Sequence, residues 1–135
     1  MEKVLFLTLA EVIEIHNDQM QRYGGHAGIR DMNLLSSAVA MPYVSFSGKF
    51  LHADIFEMAA AYAFHISQNN PFIDGNKRIA SFLFVYFLDK NKYLYREAGE
   101  KKINDNGLVA LSLLIAVSSP KEKDKLVKII TNLVK

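Results

Sequence analysis

The 135-residue chain has no cysteine, no tryptophan and only three prolines. Without cysteine there is no disulfide framework, no thiolate metal site and no cysteine nucleophile, which is compatible with the reducing, cytoplasmic setting expected for this chain. An excess of one charge is missing too. Sixteen basic residues against fourteen acidic ones leave +2, too little for a nucleic-acid surface or an anionic membrane, so neither is expected as a partner. Long hydrophobic runs are also lacking. None is longer than that from Phe82 to Leu88, whereas a membrane span needs about 20 apolar residues. The start, Met1 to Leu7, has neither a long apolar region nor a small-residue cleavage site, so no signal peptide is expected. What is present is ample core material. Half the residues are hydrophobic and 11% are aromatic, a globular composition of a size suited to one domain over residues 1–135. No repeat, linker or low-complexity stretch interrupts it.

The pattern is helical. Thr8-Leu9-Ala10-Glu11 has the form of a capping box, and Val12, Ile15, Met20 and Tyr23 follow near a helical period until Gly24-Gly25 stops it. Asp31 is a good N-cap for a second helix through Leu34, Leu35, Ala38 and Val39, which Pro42 ends. The β-prone, glycine-punctuated residues Ser45, Phe46, Ser47, Gly48 and Lys49 fit a short extended flap and a plain surface loop equally well. A third helix is expected over residues 53–67, its apolar face formed by Ile55, Met58, Ala59, Tyr62, Ala63 and Ile66. A fourth starts near Asn76. It is apolar nearly all round, which predicts a buried central helix, and Asn91 stops it. Asp105 can cap a fifth helix, and Ser119-Pro120-Lys121-Glu122 reads as a capping box with proline at the first helical position of a sixth. The lysines at 121, 123, 125, 128 and 135 are expected on a solvated face. The fold class is all-α, about six helices with one extended excursion.

One segment carries chemistry: Asn70-Pro71-Phe72-Ile73-Asp74-Gly75-Asn76-Lys77-Arg78. Asp74-Gly75-Asn76 is turn chemistry just before a long apolar helix. A helix start presents free N–H groups and positive potential, and so attracts phosphate. Gly75 permits close approach, Lys77 and Arg78 add charge, and arginine can grip phosphate oxygens in pairs. Asp74 supplies an oxygen suited to Mg²⁺, which takes one or two carboxylates plus substrate phosphates. Pro71 and Phe72 can rigidify and anchor the loop. On physics alone, a helix cap with surface charges explains the same residues. His16, His26 and His52 have no ligand spacing or triad partner, and His65 reads as a packed helix histidine.

The nine residues resemble the signature loop of the Fic/Doc superfamily, whose usual form is H-P-F-x-[D/E]-G-N-[G/K]-R. Asn76-Lys77-Arg78 is similar to the Doc, or death-on-curing, branch. Arg22-Tyr23-Gly24-Gly25, Gly28-Ile29-Arg30-Asp31, Leu34-Leu35 and Ser37-Ala38 extend the resemblance over most of the chain. It implies a toxin of a toxin–antitoxin pair that uses ATP and Mg²⁺ to modify a Ser, Thr or Tyr hydroxyl on a translation-factor protein. In that reading Gly75, Asn76 and Lys77 form an anion hole, Arg78 holds phosphate and Asp74 holds Mg²⁺. Phe72 anchors the loop, and residues 45–50 form a flap that aligns the target strand. The family's adenylyltransferases often carry a second arginine where this chain has Ser81. That favours phosphoryl transfer over AMP transfer, which stays open. The family's inhibitory S/T-x-x-x-E-[G/N] segment is not evident, since Lys123 follows Ser118 to Glu122, so a separate antitoxin chain is implied.

The resemblance breaks at one place. The family's general base is a histidine where this chain has Asn70. An imidazole accepts a proton near neutral pH; an amide does not. The expected form is therefore a built site with its base missing, either an impaired enzyme or a non-catalytic binder of nucleotide or antitoxin.

Overall fold

Local signals at the helix ends decide most element boundaries in the computed structural model, which describes residues 3–134. Met1, Glu2 and Lys135, parts of the expectations above, lie outside the described residues. Helix α1 is Leu9–Tyr23, and its capping box is complete: Thr8 Oγ1 accepts from the Glu11 amide at 3.1 Å, and Glu11 accepts from the Thr8 amide at 3.2 Å. Helix α2 is Met32–Ala40, capped by Asp31 through the Leu34 amide. Proline at position 42 sits in a 3₁₀ turn, Met41–Tyr43, that ends α2. Strands β1 (Ser45–Phe46) and β2 (Lys49–Phe50) then pair antiparallel. Ser47 and Gly48 both have positive φ, the geometry of a tight two-residue hairpin turn. The flap alternative is thus the one that forms. Helices α3 (Ile55–Asn69), α4 (Asn76–Lys90), α5 (Asp105–Val117) and α6 (Lys123–Val134) complete the order.

Among the described residues the elements are six α-helices, two short 3₁₀ turns and this hairpin, an all-α fold as expected. None of the helices is long and apolar enough to cross a membrane. Helices α3 and α4 form the central pair, with α2 and α6 also against α3 and α5 against α4. Ala59, Ala60, Ala61 and Ala63 are fully buried on α3, and their small side chains let α4 approach closely. On α4, Ile79, Ala80, Leu83, Phe84, Phe87 and Leu88 are buried, whereas Phe82 is 38% exposed. The central helix is therefore not buried all round, and α3 is the more enclosed of the two. A polar strap ties α1 to the end of α4. Lys90 Nζ donates to both Glu11 oxygens at 2.9 and 3.0 Å, and the Tyr86 hydroxyl donates to Glu11 at 2.7 Å. Burial alone would raise the Glu11 carboxyl, but these donors and the Thr8 amide hold it below its ordinary range.

Several expectations are corrected. Helix α3 spans Ile55–Asn69 rather than 53–67, because Asp54 caps it through the Glu57 amide while Glu57 accepts from the Ala53 amide. At its other end Asn70 takes left-handed geometry and lets the helix run to Asn69. Asn104, not Asp105, caps α5. Pro120 opens a separate 3₁₀ turn before α6. Tyr23, assigned to an apolar face, is 67% exposed. Lys123 is half-buried and its ammonium pKa is lowered by that burial, so it does not belong to the solvated face. Ser81 is buried and shares a 2.7 Å hydrogen bond with Ser112 between α4 and α5.

Candidate functional site

The loop between α3 and α4 is held from three sides. Asn70 is the C-cap of α3 at φ 46°, ψ 52°, a left-handed position that asparagine tolerates better than most residues. Its side chain is exposed. The carbonyls exposed by the end of α3 meet Arg30: Nε donates to Asn70 O at 2.7 Å and Nη2 to Asn69 O at 2.9 Å. Pro71 is buried, and its carbonyl accepts from the Arg30 and Asp31 amides. The Ile73 amide donates to Gly28 O, and Ile29 and Phe72 form a single antiparallel bridge. The loop after α1 is therefore sewn along the motif backbone.

The second support is internal. Asn76 folds its amide back on the loop, accepting from the Phe72 amide at 2.9 Å and donating to the Phe72 carbonyl at 3.0 Å. The third comes from α1. The Phe72 ring, 1% exposed, lies flat on the His16 imidazole with centroids 3.7 Å apart, and His16 Nε2 is 2.7 Å from Asp74 O. Gly75 is at φ +76°, and a Cβ there would come within 2.4 Å of Met20 Cε. A side chain is thus strained there by conformation, and it would also require the flexible end of Met20 to shift.

The result is a shallow cleft of about 380 Å³ lined by Asn70, Ile73, Asp74, Gly75, Asn76, Lys77 and Arg78. Gly75 is the N-cap of α4, and no side chain caps the helix. The first-turn amides of Asn76, Lys77 and Arg78 therefore have no intrahelical acceptor and face the cleft mouth with the positive end of the helix dipole. The Gly75 amide differs from these. It donates to Asp74 Oδ1 at 2.8 Å, while Asp74 Oδ2 accepts from the His26 amide at 3.1 Å. These two amides, with help from the His26 and Arg78 charges, lower the Asp74 pKa. The carboxylate is ionised and solvent-facing, and each oxygen keeps a free lone pair. Lys77 and Arg78 are exposed; Arg78 Nη1 donates to Gly24 O at 2.9 Å, and its other N–H groups make no hydrogen bond among the described residues. Hairpin residues 45–50 contribute nothing to the lining.

Chemically, the cleft can bind an anion on amide and guanidinium donors beside one ionised carboxylate. Among the described residues no three His, Asp or Glu side chains gather as a metal cluster, so a divalent ion here would draw its remaining ligands from a bound phosphate and water. No imidazole lies in the lining, whose ionised acceptor is the Asp74 carboxylate. His65 points elsewhere: burial first, then the Lys123 and His52 charges, push its pKa down to about 4.

Sequence reasoning passed over His16 and gave Arg30 no role. Each reaches the loop from 39 to 58 residues away. The period did hold a clue to His16, since it falls with Val12 and Met20 on the buried stripe of α1.

An all-α domain with an uncapped, cation-flanked helix start behind a glycine turn is a phosphate-receptive architecture. The family model described as the Fic/DOC family matches residues 6–88, and the chain belongs to that family. Over 58 residues it is 36% identical to the protein named Toxin Doc of Mycolicibacterium smegmatis (strain ATCC 700084 / mc(2)155), an alignment covering 43% of this chain and 45% of that relative. The chain thus spans less than half the length of this curated relative.

Proposed function

We propose that this chain is the toxin of a toxin–antitoxin pair, built to move the γ-phosphoryl group of ATP to a hydroxyl of a translation-factor protein in the cytoplasm, and impaired in this form by Asn70. The observation that carries the reading is the helix start at Gly75-Asn76-Lys77-Arg78, uncapped and donor-rich, with an amide side chain where the reaction needs a base. Family membership and the similarity to a protein named Toxin Doc support it.

In such a transfer the hydroxyl oxygen forms a bond to the γ-phosphorus, the bond from that phosphorus to the bridging oxygen breaks, and ADP leaves. The hydroxyl proton needs an acceptor. The first-turn amides of α4 and the Arg78 guanidinium would hold the phosphate oxygens, and Asp74 would hold Mg²⁺ with its spare lone pairs. The metal, when bound, supplies neutralisation of phosphate charge. Asn70 can accept a hydrogen bond from the attacking hydroxyl but cannot take its proton. Loss of a general base costs about 10²–10⁴ in rate. Phosphate binding, made by other residues, is retained. Ser81 favours phosphoryl over AMP transfer: its hydroxyl is committed to Ser112, and it brings no second cation to the cleft. A separate antitoxin chain would restrain the active form.

The test is Asn70→His, incubated with cell extract and ATP labelled at the γ or the α position. The left-handed backbone at 70 accepts histidine, which is enriched there like asparagine. γ-label on protein, with growth arrest on expression, is expected. α-label would mean AMP transfer. A variant inert with both labels and harmless to cells would leave a nucleotide- or antitoxin-binding module. Arg78→Ala should weaken ATP binding about tenfold or more, the worth of one charge-assisted hydrogen bond; equal affinity by calorimetry would refute the phosphate site.

A further inference from the structure

The histidine beneath the cleft has a geometry that its burial alone does not require. His16 is 0% exposed, and its Nε2 lies 2.7 Å from the Asp74 carbonyl oxygen. A carbonyl only accepts, so Nε2 carries the hydrogen. The other ring nitrogen, Nδ1, is sealed from solvent and has no partner among the described residues. A bare lone pair suits that position better than a second N–H, so the ring is the neutral Nε2–H tautomer.

The hydrogen bond orients a peptide plane. No peptide bond among the described residues is cis, and in a trans peptide the C=O and the following N–H point in opposite directions. Holding the Asp74 oxygen toward α1 turns the Gly75 N–H away from α1. Within the turn itself, the only hydrogen bond among the described residues that secures this orientation is the one from the Gly75 N–H to Asp74 Oδ1 at 2.8 Å. Gly75, without a Cβ, can adopt either sign of φ, so the residue that permits the turn also makes a flip of the Asp74–Gly75 peptide cheap. A flipped peptide would aim a carbonyl oxygen toward the start of α4 and repel an anion there. It would also leave the His16 Nε2–H buried without an acceptor. Met20, one turn further along α1, backs the same glycine.

We infer that His16 is a positioning residue: its Nε2–H locks the Asp74–Gly75 peptide so that the Asp74 carbonyl oxygen stays toward α1 and off the anion side of the α4 start. The inference rests on the reading of the cleft as a phosphate site. His16→Phe keeps a flat ring against Phe72 and removes the donor, whereas His16→Gln returns an amide donor at similar reach. Calorimetry with ATP and with inorganic phosphate should show His16→Phe about tenfold or more weaker, the scale of one polar contact with a charged group turned from favourable to unfavourable, with most of the loss recovered in His16→Gln. Binding by His16→Phe equal to the parent, or no recovery in a folded His16→Gln, overturns the lock.

Two further measurements do not depend on those affinities. Ring ¹⁵N spectra of the parent should show the Nε2–H tautomer, and an Nδ1–H tautomer overturns the lock even if the variants fail to fold. If no form, parent included, binds phosphate or ATP, the reading of the cleft fails. The Gly75 amide and Asp74 carbonyl resonances then decide the lock separately, by moving in His16→Phe and returning in His16→Gln, or by failing to.

Discussion

Asn76 holds the motif loop by two hydrogen bonds from one side chain, and its removal has a calculable cost. Its Oδ1 and Nδ2 meet the Phe72 amide and carbonyl at 2.9 and 3.0 Å. Each bond is neutral and contributes about 1 kcal/mol net. Asn76→Ala removes both, but the half-buried position lets water reach the freed groups. The expected loss is about 2 kcal/mol, or roughly 6–10 °C in Tm for a chain of this size. Asn76→Asp separates the two bonds. It keeps an acceptor for the Phe72 amide and gains from the positive end of α4, but sets an oxygen against the Phe72 carbonyl. Its stability should fall between parent and alanine variant, at about 1 kcal/mol below the parent. Phosphate binding should rank differently. A carboxylate in the cleft repels the anion, so Asn76→Asp should bind more weakly than Asn76→Ala. Urea unfolding with an unchanged slope gives the first order and calorimetry the second. An alanine variant within about 0.5 kcal/mol of the parent, the usual range for a featureless surface site, would refute the staple. Equal phosphate affinity of the two variants would refute the electrostatic argument.

Acid should destabilise the fold through His65. Burial pushes its pKa down to about 4 in the folded chain, well below the ordinary imidazole value near 6.5, so the unfolded state binds more protons between those values. The contribution is full above about 6.5, is lost as pH falls toward 4, and amounts to about 2 kcal/mol between pH 7 and pH 5. His65→Leu should flatten the urea midpoint over that window, and parallel curves for the two proteins would refute it. Phe84 is fully buried, so Phe84→Ala should cost about 3–5 kcal/mol by the same unfolding assay. Lys90→Met keeps an apolar stem but strips Glu11 of its cation, and should cost about 1 kcal/mol at pH 7. That loss should shrink as pH falls below 4.5, where Glu11 is neutral in the unfolded chain.

The legible parts of this fold are those whose cause lies within a few residues. Thr8 and Glu11, Asp31, Gly24 and Asn91 mark helix ends because caps and stops act locally. The motif was readable because its nine residues are contiguous and its turn, charges and helix start need no outside information. The boundary of α3 was missed by two residues, because apolar periodicity does not reveal which carboxylate wins the capping contest at Asp54 and Glu57. Lys123 was misplaced because a run of lysines resembles a solvated face until the tertiary fold sets one of them beside His52 and His65. The cleft's supports were least visible. His16 and Arg30 touch the loop across long stretches of chain, and no spacing rule connects a residue to a partner that far away.

The clamp between residues 24–31 and the motif also decides when the cleft can exist. The helical hairpin of α3 and α4 can form from neighbouring residues alone. The carbonyls of Asn69, Asn70 and Pro71 and the amide of Ile73 find their partners only after the earlier loop has docked. Closing that connection carries a loop-entropy cost which local helix formation does not. During folding the cleft is thus a late acquisition. In the folded chain, a sub-global opening that releases the loop after α1 would loosen the cleft while the hydrophobic centre stays closed. A partner that bound the freed 24–31 segment could therefore silence the site without touching it.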